Sequence, residues 1–249
     1  MRVLVVTGAG ISAESGIPTF RGAGGHWRNL DPTKLATQSA FDSDPEIVWQ
    51  WYRERRDMIR CAEPNAAHRA VAKLSAGADE FFLLTQNVDD LHDRADWDGY
   101  RIPEDQIAHV HGDIFTTKCE RGDFSRKDTS DDDLRNIDLG GGVPRCPTCG
   151  ARLRPGVVWF GEGLNPHEVA RVDNFVRARP CDVVIVVGTT VAFDYIVHWT
   201  RLAAGRRGRL IEVNPDDRFL EALGAEWMRE SAASALPRIV EELTSHKRS

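Results

Sequence analysis

The 249-residue sequence has no run of about 18 apolar residues, the length a membrane-crossing helix needs. It also lacks an excess of positive charge. Against 38 Asp and Glu stand 32 Lys and Arg, a net charge of −6, which argues against a nucleic-acid partner held by a basic surface. Cysteine is scarce and odd in number: Cys61, Cys119, Cys146, Cys149 and Cys181 do not read as a disulfide framework in a chain of this length. No signal-like segment opens the chain, because Met1-Arg2 runs straight into Val3-Leu4-Val5-Val6 and a glycine turn. The expectation is a cytoplasmic protein with neither membrane nor nucleic acid as partner. Internal repeats are absent too. What remains, with 41% hydrophobic residues, is enough apolar material for one large domain, or for one domain carrying a smaller insertion.

Four short apolar runs are present, Val3–Val6, Phe81–Leu84, Val183–Val187 and Leu210–Val213. Each ends at a polar or glycine-containing turn, and helical patterns separate them. Continuous apolar strands of this kind predict an α/β fold with a parallel sheet covered on both faces. Ligands in such sheets sit beyond the carboxyl ends of the strands, so the four turns should converge on one crevice. Two segments interrupt the alternation. From about Trp27 to Leu74 there is a helical stretch, with Asp44 as N-cap and Pro45 at its first turn. From about Phe115 to Arg154 lies a segment whose centre, Arg121 to Gly142, is poor in large apolar residues and reads as loop-rich.

Gly8-Ala9-Gly10-Ile11-Ser12 follows the first strand at once. Glycines there let the backbone approach a phosphate, with N–H groups aimed at the anion. The third position of the dinucleotide pattern holds Ala13, and no acidic residue closes a second strand about 20 residues on. On spacing alone the turn is either a nucleotide-phosphate site or a plain strand–turn–helix, and hydride-transfer chemistry is disfavoured. Gln86-Asn87-Val88-Asp89 is open in the same way, since Asn and Asp after a strand are common helix caps.

The longer run Gly8 to Gly22, GAGISAESGIPTFRG, resembles the signature of the sirtuins, NAD-dependent protein deacylases. So do Thr85 to His92 (TQNVDDLH), His109 to Gly112 (HVHG), Val157 to Glu162 (VVWFGE), Gly188-Thr189-Thr190 and Glu212 to Pro215 (EVNP). The blocks come in the family's order and span nearly the whole chain. The resemblance implies a Rossmann-like large domain over 1–30, 72–114 and 155–249. The small domain would be a helical insertion, 31–71, and a zinc-ribbon-like insertion, 115–154. NAD would be the co-substrate and acylated-lysine proteins or peptides the partners. The alternatives are an NAD- or ADP-ribose-binding module, or an ADP-ribosyltransferase with weak deacylase activity.

By the same resemblance Gly8, Ala9, Gly10 and Ile11 approach the pyrophosphate of NAD, while Phe20, Arg21 and Trp27 belong to the loop that shields the reacting ribose. Gln86, Asn87, Val88 and Asp89 hold the nicotinamide and its ribose. Gly188, Thr189 and Thr190 meet phosphate, Asn214, Pro215 and Asp216 the adenosine ribose, and Ala232 the adenine side. His111 is the expected general base, an imidazole able to accept a proton near neutral pH. His109 and His92 are rivals on chemistry, separated from it only by motif register. Val157, Val158, Phe160 and Gly161 match the strand that receives an extended acyl-lysine peptide.

Tyr52 and Arg55 stand three apart on the predicted helix and so share a face. A phenol and a guanidinium together can grip a carboxylate. The pair resembles that of the sirtuin class removing succinyl and malonyl groups, and Ala36 matches that class's small pocket residue. The same helix carries Arg53, Arg56 and Arg60, so a solvated basic face is the competing reading.

Cys146 and Cys149 form one Cys-x-x-Cys pair, but its expected companion is broken: Cys119 is followed three residues later by Gly122. Three thiolates make an incomplete zinc site. Asp123, Glu120 or water could supply a fourth ligand, or zinc has been lost and packing holds the lobe. Cys61 and Cys181 are expected to be buried apolar residues.

Overall fold

The computed structural model describes residues 1–19, 31–122, 124–127 and 142–245. Among these the chain forms β1 (Arg2–Thr7), β2 (Glu80–Thr85), β3 (Ile107–His109), β4 (Gly112–Cys119), β5 (Ser125–Lys127), β6 (Leu153–Val157), β7 (Val183–Val187), β8 (Arg209–Val213) and β9 (Glu226–Met228). The four expected strands are the interior of one six-stranded parallel sheet, ordered β3-β2-β1-β7-β8-β9.

Alternation along β1 sorts the two faces. Val3 and Val5 point to one core, where Val71 and Leu74 of helix Ala66–Gly77 meet Leu236 and Val240 of helix Ala232–Ser245. Leu4 and Val6 point to the other, against Val172 and Val176 of helix Pro166–Ala178 and Ile196 and Trp199 of helix Asp194–Ala204. Helix Ala66–Gly77 therefore belongs under the large sheet.

A third core is built by the two interrupting segments. Asp44 Oδ1 accepts from the Ile47 N–H at 3.0 Å and starts helix Pro45–Cys61 where its N-cap was expected. Val48, Trp49, Trp51, Tyr52 and Ile59 face inward and pack on Ile114, Phe115, Leu153 and Trp159. The three-stranded antiparallel sheet β5-β4-β6 supplies much of that wall. Arg56 is fully buried and donates to the carbonyls of Ile114 (2.6 Å) and Thr116 (3.1 Å), tying the helix to β4. This removes the solvated-basic-face reading: Arg56 is an internal tether, and Arg53 donates to the Gly142 carbonyl at 2.8 Å. Most of the expected 121–142 loop lies outside the described residues.

The sheet order reverses between β1 and β7, which opens a crevice at their carboxyl ends. Backbone packs on backbone there. Gly8 N–H donates to Val187 O at 3.0 Å and Gly10 N–H to Gly188 O at 2.8 Å. Gly188 has φ +64°, and a Cβ on it would run into Ile11 N and Gly10. A left-handed alanine costs roughly 1–2 kcal/mol and overpacking roughly 1–3 more. Gly188→Ala should therefore lower the melting temperature by about 4–20 °C, at roughly 2–4 °C per kcal/mol for a chain of this size. A thermal melt within 2 °C of wild type would show that the crossing can relax.

Candidate active site

A cavity of about 560 Å³ lies over the strand ends, between the large sheet and the third core. Its floor is the glycine turn with Gly188, Thr189 and Asn214. Asn214 Nδ2 donates to Thr189 O at 3.2 Å, and Gln86 Nε2 donates to Thr189 Oγ1 at 3.0 Å. Glu14 lines the cavity and caps the C-terminal helix, accepting from Ser231 Oγ (2.9 Å) and the Ala233 N–H (2.8 Å). Every described residue that the sequence marked for cofactor or substrate lines this cavity except Ile11. Ile11 is fully buried in the sheet core, so only its backbone belongs to the turn. Phe20, Arg21 and Trp27 lie outside the described residues.

Ser12, which the sequence reading did not single out, organises the polar wall. Its hydroxyl donates to Asp89 Oδ2 at 3.0 Å and accepts from Asn87 Nδ2 at 3.1 Å. Asp89 also accepts from the Leu91 N–H at 3.2 Å, so the residue both braces the chain where helix Leu91–Arg94 begins and faces the cavity. Burial raises its carboxyl above the usual range, with the Leu91 N–H and Ser12 opposing.

Behind this wall His68 and His92 meet ring to ring at 4.8 Å, and both are buried. Burial, then the charges of Arg69 and Arg94, brings His68 down to about 3; burial, then His68, pushes His92 well below its ordinary value. Both fold as neutral rings, while the unfolded chain binds their protons near pH 6.5. The unfolded state thus holds more protons below that pH. The stability these rings contribute is intact above pH 6.5 and is lost as pH falls toward about 3. Denaturant midpoints should drop steadily across this window, and by less in His92→Gln. Equal slopes for the two proteins would remove His92 from the explanation.

His111 sits in the turn between β3 and β4. Gly112, φ +82°, leaves no room for a Cβ against the Gly156 carbonyl, which fixes the turn closely. His111 Nδ1 is 2.9 Å from the Gln86 carbonyl oxygen, which can only accept, so the neutral ring carries its proton on Nδ1. Nε2 is left as the basic atom, in a ring that lines the cavity. Burial lowers the His111 pKa, with the Gln86 carbonyl opposing. Its two rivals fall away on geometry. His109 pairs with Asp93, Nε2 to Oδ2 3.2 Å, and His92 packs on His68; neither lines the cavity.

On the opposite wall stand Ala36, Tyr52 and Arg55. Trp159 Nε1 donates to Tyr52 Oη at 2.9 Å. Indole nitrogen is donor only, so the phenol keeps its own proton to give. Burial raises the Tyr52 hydroxyl, with Trp159 and Arg55 opposing; burial also pulls Arg55 below its usual value, with Tyr52 and Asp89 opposing. Arg55 lies 5.3 Å from the Trp51 ring centroid. The N–H of Val158 donates to His111 O (2.8 Å), that of Phe160 to Ala36 O (2.9 Å), and that of Trp159 to Glu162 Oε2 (2.8 Å). These donors are spent inside the protein and are not open to a peptide.

Cys119, Cys146 and Cys149 bring their sulfurs within 4.8 Å of one another, with Cys119 and Cys149 3.5 Å apart. Thiolates about 2.3 Å from a tetrahedral zinc stand about 3.8 Å from one another, so the trio fits that ion. A Cβ on Gly122 would lie 3.7 Å from Cys119 Sγ, where a cysteine would complete the set. Glu120 is turned to Arg152 at 2.9 Å and does not join the cluster; Asp123 lies outside the described residues. Cys181 is buried as expected, whereas Cys61, the last residue of its helix, is exposed.

Strand-end glycines, a polar wall and an imidazole facing an apolar, arginine-bearing recess define an NAD-type nucleotide-binding enzyme. Residues 8–194 match the Sir2 family model, and the chain belongs to that family. It is 43% identical over 220 residues to the NAD-dependent protein deacylase 1 of Pseudomonas aeruginosa, covering 86% of this chain and 83% of that protein. With the Archaeoglobus fulgidus NAD-dependent protein deacylase 1 it shares 39% over 246 residues, 99% of this chain and 93% of the other. A Sir2 homologue solved with NAD superposes with TM-score 0.84 at 38% identity, covering 98% of this chain and 90% of that one. A mutant Sir2 homologue bound to 2′-O-acetyl ADP-ribose gives 0.83 at 35%, covering 98% and 92%.

Proposed function

We propose that the chain is an NAD-dependent protein-lysine deacylase, cytoplasmic, acting on acylated-lysine proteins and favouring acyl groups that end in a carboxylate, succinyl and malonyl, over acetyl. Deacylase activity follows from the family and the relatives named above. The acyl preference rests on one observation: Tyr52, with its proton free to give, and Arg55 line the recess of the cavity together. A carboxylate there gains a charge-assisted bond from each. Ala36 beside them leaves length for the chain.

In this reading NAD lies over the glycine floor. The acyl-lysine carbonyl oxygen attacks the anomeric carbon of the nicotinamide ribose and nicotinamide leaves. His111 Nε2 then takes a proton from a ribose hydroxyl, which attacks the resulting imidate. Water releases lysine and O-acyl-ADP-ribose. Backbone pairing with the peptide falls to the carbonyls of Val158 and Phe160 and to the Gly161 backbone, because the N–H groups at 158–160 and at Glu162 are engaged. When bound, zinc on Cys119, Cys146 and Cys149 would be structural, pinning the small sheet. The domain division proposed is that read from the motifs, with 66–71 moved to the large domain beside the rest of their helix.

The test is incubation with NAD and matched succinyl-, malonyl- and acetyl-lysine peptides, with nicotinamide and O-acyl-ADP-ribose quantified. Both products should form together, fastest with the acidic acyl groups. Nicotinamide formed without peptide would indicate NAD hydrolysis instead, and faster acetyl turnover would defeat the acyl preference.

A further inference from the structure

Tyr195, in the first turn of helix Asp194–Ala204, places its hydroxyl 2.6 Å from His111 Nε2. Its ring is held on two sides. It stacks on Phe193, with centroids 5.3 Å apart and planes 13° apart, and meets Trp199 edge-on at 5.3 Å. Phe193 in turn meets the His111 ring edge-on at 5.4 Å. With the Nδ1 proton committed to the Gln86 carbonyl, Nε2 offers one lone pair, so the Tyr195 hydroxyl is the donor. Burial pushes that phenol up to about 12, so it carries its proton at any working pH.

A base must present its lone pair to the hydroxyl it deprotonates. In the ligand-free protein that lone pair is taken. We propose that Tyr195 is a positioning residue that holds His111 Nε2 until NAD is bound, and that the ribose hydroxyl of the co-substrate displaces it. The bond fixes the ring plane and the tautomer, and it competes with the co-substrate. Tyr195 lines the cavity, so its O–H hydrogen can rotate off Nε2 about the Cζ–Oη bond and the ring can slide along its stack on Phe193, carrying the oxygen aside. The inference rests on His111 being the base proposed above.

The experiment uses Tyr195→Phe, which keeps the ring and its packing and removes only the hydroxyl. Imidazole nitrogens are labelled with 15N, and the His111 resonance is identified by its absence in His111→Ala. Losing the donor should move the Nε2 resonance of the free protein downfield. NAD should move Nε2 in wild type from one hydrogen-bonded position to another. In kinetics KM for NAD should fall about 2–10-fold, the worth of one net hydrogen bond, while kcat falls a few-fold because the ring is less restrained.

An unchanged Nε2 resonance, or a rise in KM, would overturn the proposal. Loss of kcat by more than 100-fold would overturn it too, in favour of a proton relay through the phenol. The two readings separate cleanly. If His111→Ala still deacylates, the base assignment fails whatever Tyr195→Phe does. If His111→Ala is inactive and Tyr195→Phe leaves Nε2 unmoved, only the role of Tyr195 fails.

Discussion

Replacing His111 with alanine is expected to cut deacylation of a succinyl-lysine peptide by about 10²–10⁴-fold, the range a general base supplies. Release of nicotinamide should survive in the same protein. In the proposed sequence nicotinamide leaves before the base acts, so the substitution stalls the reaction after the glycosidic bond has broken. The geometry supports a base and not an acid. Nδ1 is committed to Gln86, and burial holds the ring neutral below the ordinary imidazole range. The acid limb of kcat/KM should accordingly lie below pH 6.5. Single-turnover measurements with nicotinamide and free lysine followed separately decide the matter. Equal loss of both products would move His111 to the first step, and undiminished deacylation would end the mechanism.

The second large effect is expected from Arg55→Met. Cutting one partner from a buried charge pair costs about 2–5 kcal/mol. That converts to a loss of about 30- to 4,000-fold in kcat/KM on succinyl-lysine, at about 1.4 kcal/mol per tenfold. Acetyl-lysine, with no carboxylate to hold, should change by less than about threefold. Methionine suits the site because it keeps an unbranched stem of similar reach beside Ile59, Val88 and Val157, which line the same cavity. Parallel losses on both peptides would reduce Arg55 to packing against Trp51.

How much of this was legible in the sequence depended on how local the signal was. The interior strands and helix Pro45–Cys61 were, because each carries its apolar pattern and its cap within one stretch. The edges β3 and β9 are three residues each, too short for any periodicity to register. The pairing of β4 with β6 joins Gly112 to Val157, a register no local pattern encodes. At the site, motif order located the cavity-lining residues but not their duties. Ile11 fits the glycine turn by position, yet its side chain is drawn into the sheet core. Arg53, Arg55 and Arg56 look alike on paper; one reaches a loop carbonyl, one enters the cavity and one is sealed against β4. Tyr195 carried no signal at all, since its importance lies in reaching across 84 positions to a ring nitrogen.

The carbonyl of His111 accepts from Val158, and the neighbouring Gly112 is wedged against Gly156. The turn bearing the imidazole is thereby stitched to the strand that leads out of the smaller lobe, while its ring leans on the larger one through Gln86. Any hinge-like closing of the two halves must carry the imidazole with it. Capturing cargo and aiming the base become a single mechanical event, so the imidazole comes into line with the ribose hydroxyl only as the two halves close.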